Sequence, residues 1–318
     1  MIREFALEPH LVGTWNEDQA RYYRSQFSMD GGRVVSRWPA QWRNDVLNAF
    51  NESEYSGSTR RKKQLSLFLR KLKGRTIGRP GGEPNPDKAA GWLAGALREH
   101  ERCPFDAILA GSNPGGHSDI LLHDDLDEHP LWQVPRGLLV DRRAEAMADA
   151  VASTLRLSKR IVLVDPYFRP KRRENLQVFE SFCERMFRNR PGPPPEQLII
   201  LTEFSCKRGR DAYFDDACRS ELPGRAPEGL RVVVKRLQRR EGRDQMHNRY
   251  VLTDLCGIQF GTGLDTGSSG ATDDVTLLSE QQYLHRWEQY AQDPPSDFDI
   301  VGAPVELVGN RKIAGGPR

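Results

Sequence analysis

From about residue 104 onward, short apolar runs alternate with amphipathic stretches. Residues 107–110, 160–165, 197–202 and 230–234 are aliphatic or β-branched runs bounded by polar residues, and each predicts a strand. Residues 144–157, 174–188, 211–220 and 280–291 carry apolar side chains at helical steps. Alternation of this kind predicts an α/β domain, a sheet flanked by helices. Near the end of the series, residues 246–254 and 258–260 read as two strands joined by a tight turn at Leu255-Cys256-Gly257, and a third apolar run occupies 275–278. An antiparallel pair there makes the expected sheet mixed.

The first hundred residues carry a different pattern. Helices are expected over 17–27 and 41–50, and a third from a Ser58-Thr59 cap to Leu72, with Leu65, Phe68, Leu69 and Leu72 on one stripe and Gly74 ending it. The segment Pro80-Gly81-Gly82-Glu83-Pro84-Asn85-Pro86 breaks regular structure, and a helix over 87–99 follows, with Trp92, Leu93, Ala96 and Leu97 sharing a face. The expected organisation is therefore a mostly helical N-terminal region, 1–100, and an α/β domain, 101–318.

Composition narrows the class. Hydrophobic residues make up 37% of the 318 and charged residues 29%, as in a globular chain. No apolar run is long enough to span a membrane, and the N-terminus lacks the apolar core of a signal peptide. The five cysteines (Cys103, Cys183, Cys206, Cys218, Cys256) are scattered, which predicts free thiols in a reducing cytoplasm. Net charge is only +3, so local clusters matter more than the total. One is the basic face of the 59–72 helix (Arg60, Arg61, Lys62, Lys63, Arg70, Lys71), continuing through Lys73, Arg75 and Arg79. This face could meet nucleic-acid phosphates or an acidic protein partner, or be a solvated helix surface. A second comprises Lys207, Arg208, Arg210, Lys235, Arg236, Arg239, Arg240 and Arg243, which would attract a polyanion if it rings a site. The stretch from His117 to His129 is rich in metal-ligand types, but its spacing matches no metal pattern, and a polar loop is the expectation.

The candidate chemistry lies in Met246-His247-Asn248-Arg249-Tyr250-Val251-Leu252-Thr253-Asp254. If the whole segment is a strand, His247 and Arg249 project to one side and Asp254 to the other. An imidazole beside a guanidinium suits a phosphate, since one can attack or donate a proton while the other holds the oxygens. Gly261-Thr262-Gly263 ends the next strand with small residues that let a ligand approach the backbone. Asp265 lies in the glycine-flanked loop after it, and Asp273-Asp274 opens the third run. Asp165, at the carboxyl end of its strand, is a further candidate to position a histidine or bind substrate, or equally to form an Asx turn into Pro166.

This spacing resembles the signature of the phospholipase D superfamily, His-x-Lys-x4-Asp followed by Gly-Ser-x-Asn and a later acid. By that resemblance His247 falls on the family's histidine, Arg249 on its lysine, Asp254 on its aspartate, Gly261 and Thr262 on Gly-Ser, and Asp274 near the downstream acid. Two positions depart from the pattern: arginine replaces lysine, and Leu264 stands where the asparagine belongs. The resemblance implies a phospholipase D-like mixed sheet and a metal-independent phosphodiesterase working through a phosphohistidine, with no cofactor. His247, Arg249, Asp254, Thr262 and Asp274 would be catalytic, and Gly261, Asp265, Asp165 and Arg243 would contact substrate. The mechanism needs two histidines, and none of His10, His100, His117, His123, His129 and His285 sits in a second motif, so two copies would share one site in a homodimer. Nucleic acid is the expected substrate, DNA ahead of RNA and both ahead of a membrane lipid, and a role in antiviral defence with other proteins is implied by likeness alone. The competing expectation is a non-catalytic nucleic-acid-binding or scaffold component, which the two departures motivate.

Overall fold

The computed structural model describes residues 1–80, 91–204 and 213–313. Contacts divide the chain into two compact units, Ile2–Pro135 and Arg136–Arg318 with Met1.

The first unit is built on a parallel sheet. Its elements are β1 (Arg3–Leu7), α1 (Pro9–Thr14), α2 (Glu17–Gln26), β2 (Arg33–Arg37), α3 (Trp42–Glu52), α4 (Thr59–Lys71), β3 (Thr76–Gly78), α5 (Gly91–Arg102), β4 (Ala107–Leu109) and β5 (Ile120–Leu121). The strand order is β3-β2-β1-β4-β5, with every neighbour parallel. The expected helices at 17–27, 41–50 and 59–72 are present, but a mostly helical region is not. The reason is physical. These strands have two to five residues and are buried on both faces, so they show neither the length nor the polar alternation that marks a strand in sequence. The boundary expected near residue 100 lies at Pro135/Arg136, because the run at 107–110 pairs with β1 rather than with later strands. Of the expected breaker and the helix at 87–99, residues 81–90 lie outside the described residues, and α5 begins at Gly91.

Alternation along the strands sorts the core into two layers. Phe5, Leu7, Ala107 and Leu109 join Val12, Trp15, Tyr23, Trp42, Phe50 and Phe68 from α1–α4 and the segments beside them. Ala6, Ile108 and Ala110 join Trp38, Ala96 and Phe105, against which Trp92, Leu93 and Leu97 of α5 pack. Helices therefore cover both faces, as a parallel sheet requires. Asn16 opens α2 with a capping box to Gln19, and Ser58 caps α4 at Arg61, as its sequence position foretold. Arg79, expected on a basic surface, is fully buried. Its guanidinium forks onto Glu4 (2.7 and 3.0 Å), reaches Glu99 (2.9 Å) and the Cys103 carbonyl (2.6 Å), and lies 3.8 Å from the Phe105 ring centroid. Burial alone would lower its pKa, but the Glu4 and Glu99 carboxylates outweigh that and the net shift is upward. Lys62, Lys63, Arg70, Lys71 and Lys73 remain exposed.

Gly13 sits where α1 crosses α3. A Cβ there would come within 2.7 Å of Ala49 Cβ and of the Phe50 backbone nitrogen. Gly13→Ala is therefore expected to destabilise this unit by about 1–3 kcal/mol, despite alanine's better helix propensity. Urea denaturation followed by tryptophan fluorescence checks it, and a midpoint at or above wild type would show that the helix pair can open without loss.

The second unit comprises β6 (Gly137–Asp141), α6 (Ala144–Ala150), α7 (Ala152–Leu157), β7 (Arg160–Val164), α8 (Arg173–Phe187), β8 (Gln197–Glu203), α9 (Phe214–Glu221), β9 (Arg231–Arg239), β10 (Arg249–Thr253), β11 (Gly257–Phe260), β12 (Thr272–Leu277), α10 (Glu280–Arg286), which runs on into a π turn (Trp287–Ala291), β13 (Phe298–Ile300) and β14 (Val305–Val308). They form a nine-stranded mixed sheet, β13-β9-β8-β7-β10-β11-β12-β6, with β14 also paired to β9. Strands β7, β8 and β9 are parallel, and every other pairing is antiparallel. The hairpin expected at Cys256-Gly257 joins β10 to β11, with Val251 opposite Ile258. The chain is thus an α/β protein of one parallel and one mixed sheet. The expected helix at 144–157 is broken at Val151 into α6 and α7. Among the described residues no helix is long and apolar enough to cross a membrane.

Candidate functional site

Strand β10 starts at Arg249, not at Met246. His247 therefore precedes the strand, and its side chain is exposed. Arg249 is half-buried at the strand's first position, and its Nη1 donates to the His247 carbonyl at 3.1 Å. Asp254 lies at the far end of the same strand. Its Oδ1 accepts from the backbone nitrogens of Lys159 (2.8 Å) and Arg160 (3.0 Å), tying the start of β7 to the end of β10. A strand of this length separates the two ends by about 17 Å, so Asp254 is a backbone anchor remote from Arg249.

Antiparallel pairing places three strand ends together. Tyr250 lies opposite Val164 and Arg249 opposite Phe260, so the start of β10 meets the carboxyl ends of β7 and β11. There, a cleft of about 480 Å³ opens, lined by Arg142, Asp165, Tyr167, Arg169, Arg172, Arg249, Thr262, Gly263 and Asp265. Four arginines face two aspartates, so the cleft is electropositive.

Each wall has a local cause. Asp165 is buried and makes an Asx turn, its Oδ1 accepting from the Tyr167 nitrogen at 2.9 Å, while the Phe168 nitrogen donates to its carbonyl at 3.2 Å. Burial raises the Asp165 pKa above the usual carboxylate value, against the Tyr167 hydrogen bond and the Arg249 charge, which lower it. Asp265 carries ion pairs to Arg142 and to Arg172 (3.0 Å), so two of the four guanidinium groups are held by one carboxylate. The Thr262 nitrogen donates to Asp273 Oδ1 at 2.9 Å, leaving the exposed threonine side chain at the cleft. A Cβ at Gly263 would meet Asp265 Oδ1, which is why the loop needs a residue without a side chain there. Buried Leu264 turns its carbonyl to Asn175 Nδ2 of α8 at 3.3 Å, so an amide does reach this loop, from another element. The Nε atoms of Arg142 and Arg249 are buried without an acceptor among the described residues.

Of the residues singled out in the sequence, Arg249, Thr262, Asp265 and Asp165 meet in this cleft. Gly261 adjoins it, donating to the Asp274 carbonyl at 3.1 Å. His247 is not among the lining residues. Asp274 is exposed, and the neighbouring Asp273 is the buried acid behind Thr262. Arg243 is exposed and 4.0 Å from Asp297. Of the second basic cluster, Lys207, Arg208 and Arg210 lie outside the described residues, while Lys235, Arg236 and Arg240 pair with Asp293, Asp215 and Asp299. Cys206 also lies outside them, and Cys103, Cys183, Cys218 and Cys256 are buried and form no disulfide with one another. Arg142, Tyr167, Arg169 and Arg172 were not anticipated. The last three follow Asp165 directly at a strand's carboxyl end, which is a usable signal; Arg142 follows β6, whose sequence gave none.

The stretch from His117 to His129 belongs to the first unit and is tied into its core. The Tyr23 hydroxyl and His123 Nδ1 lie 2.7 Å apart, and the Tyr22 hydroxyl donates to Asp127 at 3.2 Å. Among the described residues no cluster of three or more histidine, cysteine or acidic side chains is placed to hold a metal ion.

The raised pKa of Asp165 has a consequence for stability. Its protonated form is favoured in the folded chain, so its stabilising contribution is full at acid pH and is lost as pH rises through the folded-state pKa. Asp165→Asn keeps an acceptor for the Tyr167 nitrogen and removes the charge. The difference in melting temperature, variant minus wild type, is expected to be larger at about pH 8 than near about pH 3, where the wild-type carboxyl is mostly neutral. Thermal melts across that range would contradict this if the gap stayed constant or grew toward acid.

The fold and the cleft define an α/β protein with an arginine-rich site at converging strand ends. No family model matches the chain, and no curated protein matches it.

Proposed function

We propose that the mixed-sheet unit is a phospholipase D-like phosphodiesterase domain acting on nucleic acid, with the arginine-lined cleft as its phosphate site. One observation carries the reading. The strand pairing brings Arg249, Thr262 and Asp165 into a single electropositive cleft, with His247 two residues ahead of Arg249. Guanidinium groups suit the non-bridging oxygens of a phosphodiester, to which they can bond in a bidentate way. The Thr262 side chain adds a neutral donor, and burial shifts the Asp165 pKa upward, toward its neutral form.

In this reading an imidazole nitrogen of His247 attacks phosphorus and the bond to the leaving oxygen breaks. A second imidazole, from another copy of the chain, gives that oxygen a proton. The second imidazole then takes a proton from a water that attacks phosphorus, the phosphorus–nitrogen bond breaks, and His247 is freed. Arg249 holds the charge that builds on the phosphoryl oxygens. No step calls on a metal or cofactor. Incubating the protein with a labelled oligonucleotide in EDTA tests the reading, because cleavage is expected there and its absence at every protein concentration would end it.

A second reading is a binding or scaffold module without hydrolysis. It is favoured by the absence of a histidine among the described residues lining the cleft and by the ion pairs that already engage Arg142 and Arg172. Oligonucleotide binding without cleavage would select it.

A further inference from the structure

We propose that the cleft takes single-stranded nucleic acid in particular, with one nucleobase seated on the ring of Tyr167. The inference rests on the reading of the cleft as a phosphate site and names what that site accepts.

Tyr167 is one of the few large hydrophobic side chains left exposed, at 38%. It lines the cleft together with Arg169, Arg172 and Arg249. The Arg249 guanidinium lies 4.7 Å from the ring centroid and so covers one ring face. Among the described residues no other cation and no aromatic ring stacks on Tyr167. The ring is also well placed to receive a partner. Pro166 restricts the backbone before it, and the Asx turn from Asp165 fixes its amide at 2.9 Å, so little backbone freedom remains to be lost on binding.

A flat, exposed aromatic ring among guanidinium groups matches what a base-bearing phosphate offers. The base stacks on the ring face away from Arg249 while its own and adjacent phosphates meet the arginines. The cation over the opposite face stays near the same phosphates. A phospholipid headgroup or a free phosphate has no planar ring to gain from this wall. A base in a duplex is stacked on both faces and paired at its edge, so it must leave the helix before it can lie here. Single strands meet both requirements without that loss.

The experiment compares three anions on the full chain by fluorescence anisotropy at about 50 mM salt: a labelled oligothymidylate, an abasic oligomer of equal length and charge, and the same thymidylate paired in a duplex. Wild type is expected to bind oligothymidylate most tightly. Tyr167→Leu keeps apolar bulk without a π face, and it should weaken oligothymidylate about ten-fold while leaving the abasic oligomer unchanged. Tyr167→Trp should match or exceed wild type on oligothymidylate, which also shows that the position tolerates change. An equal loss on both single-stranded probes in Tyr167→Leu would overturn the stacking role and leave the phosphate site standing, with the ring serving only to place Arg249. Duplex bound as tightly as single strand would overturn the strand preference. Wild type binding none of the three would remove the phosphate reading itself, and this inference with it.

Discussion

His247→Ala is expected to lower the single-turnover rate of oligonucleotide cleavage by about three orders of magnitude or more, with the dissociation constant held within about three-fold. A nucleophile acts on the chemical step, and the exposed His247 ring adds little to a binding surface made by the arginines of the cleft. Arg249→Ala should behave differently. Its guanidinium is at the cleft wall, and losing a charge-assisted contact of about 1.5–3 kcal/mol predicts binding weaker by about ten- to a hundred-fold, with cleavage reduced as well. The dependence of affinity on salt should flatten by about one phosphate contact. Rapid-quench kinetics and salt titrations separate the two effects. Wild-type cleavage rates in His247→Ala would falsify the proposed nucleophile, whatever the cleft binds.

The second large effect concerns the first unit. Arg79→Met is expected to cost about 3–5 kcal/mol, enough to unfold a marginally stable domain. The arginine holds Glu4 of β1 and Glu99 of α5 together in a site closed to solvent, and methionine would take the Arg79 cation from Glu4 and leave Glu99 with Arg102 alone. Its chain fills similar space, so the loss would come from charge rather than from a cavity. Exchanging all three together for Met, Leu and Leu should recover most of the stability, since an apolar cluster of similar volume replaces a buried ionic one at little net loss. Equilibrium denaturation of both variants decides it. A single exchange as stable as wild type would mean that the ionic cluster contributes nothing.

These two results bear on what could be read from residue order alone. The strands at 160–165, 197–202 and 230–234 and the hairpin after Thr253 were visible because each run has at least four apolar residues with polar punctuation. β1 and β2 were not, because Phe5-Ala6-Leu7 and Val34-Val35 are too short to set up a period and their neighbours in the sheet lie far along the chain. Arg79 looked like surface charge because its two acidic partners, at positions 4 and 99, are reachable only once the parallel sheet exists. At the cleft, Arg249 and Thr262 could be found because adjacent antiparallel strands keep nearby sequence together. Arg142 could not, since β6 joins the sheet beside β12 across a long interval. Asp254 and Asp274 fit a spacing but not a location: strand length sends the first to the opposite end, and pleating turns the second outward in favour of Asp273.

The pairing of Phe5 with Ala107 carries a lesson for biosynthesis. β1 is translated well before β4, so one of its two edges stays unsatisfied until β4 follows. A nascent polypeptide halted anywhere between them presents a bare apolar strand to its surroundings. Fragments ending near residue 100 should therefore accumulate as insoluble material or chaperone-held intermediates, whereas those extended through Pro135 should emerge as freely diffusing monomers.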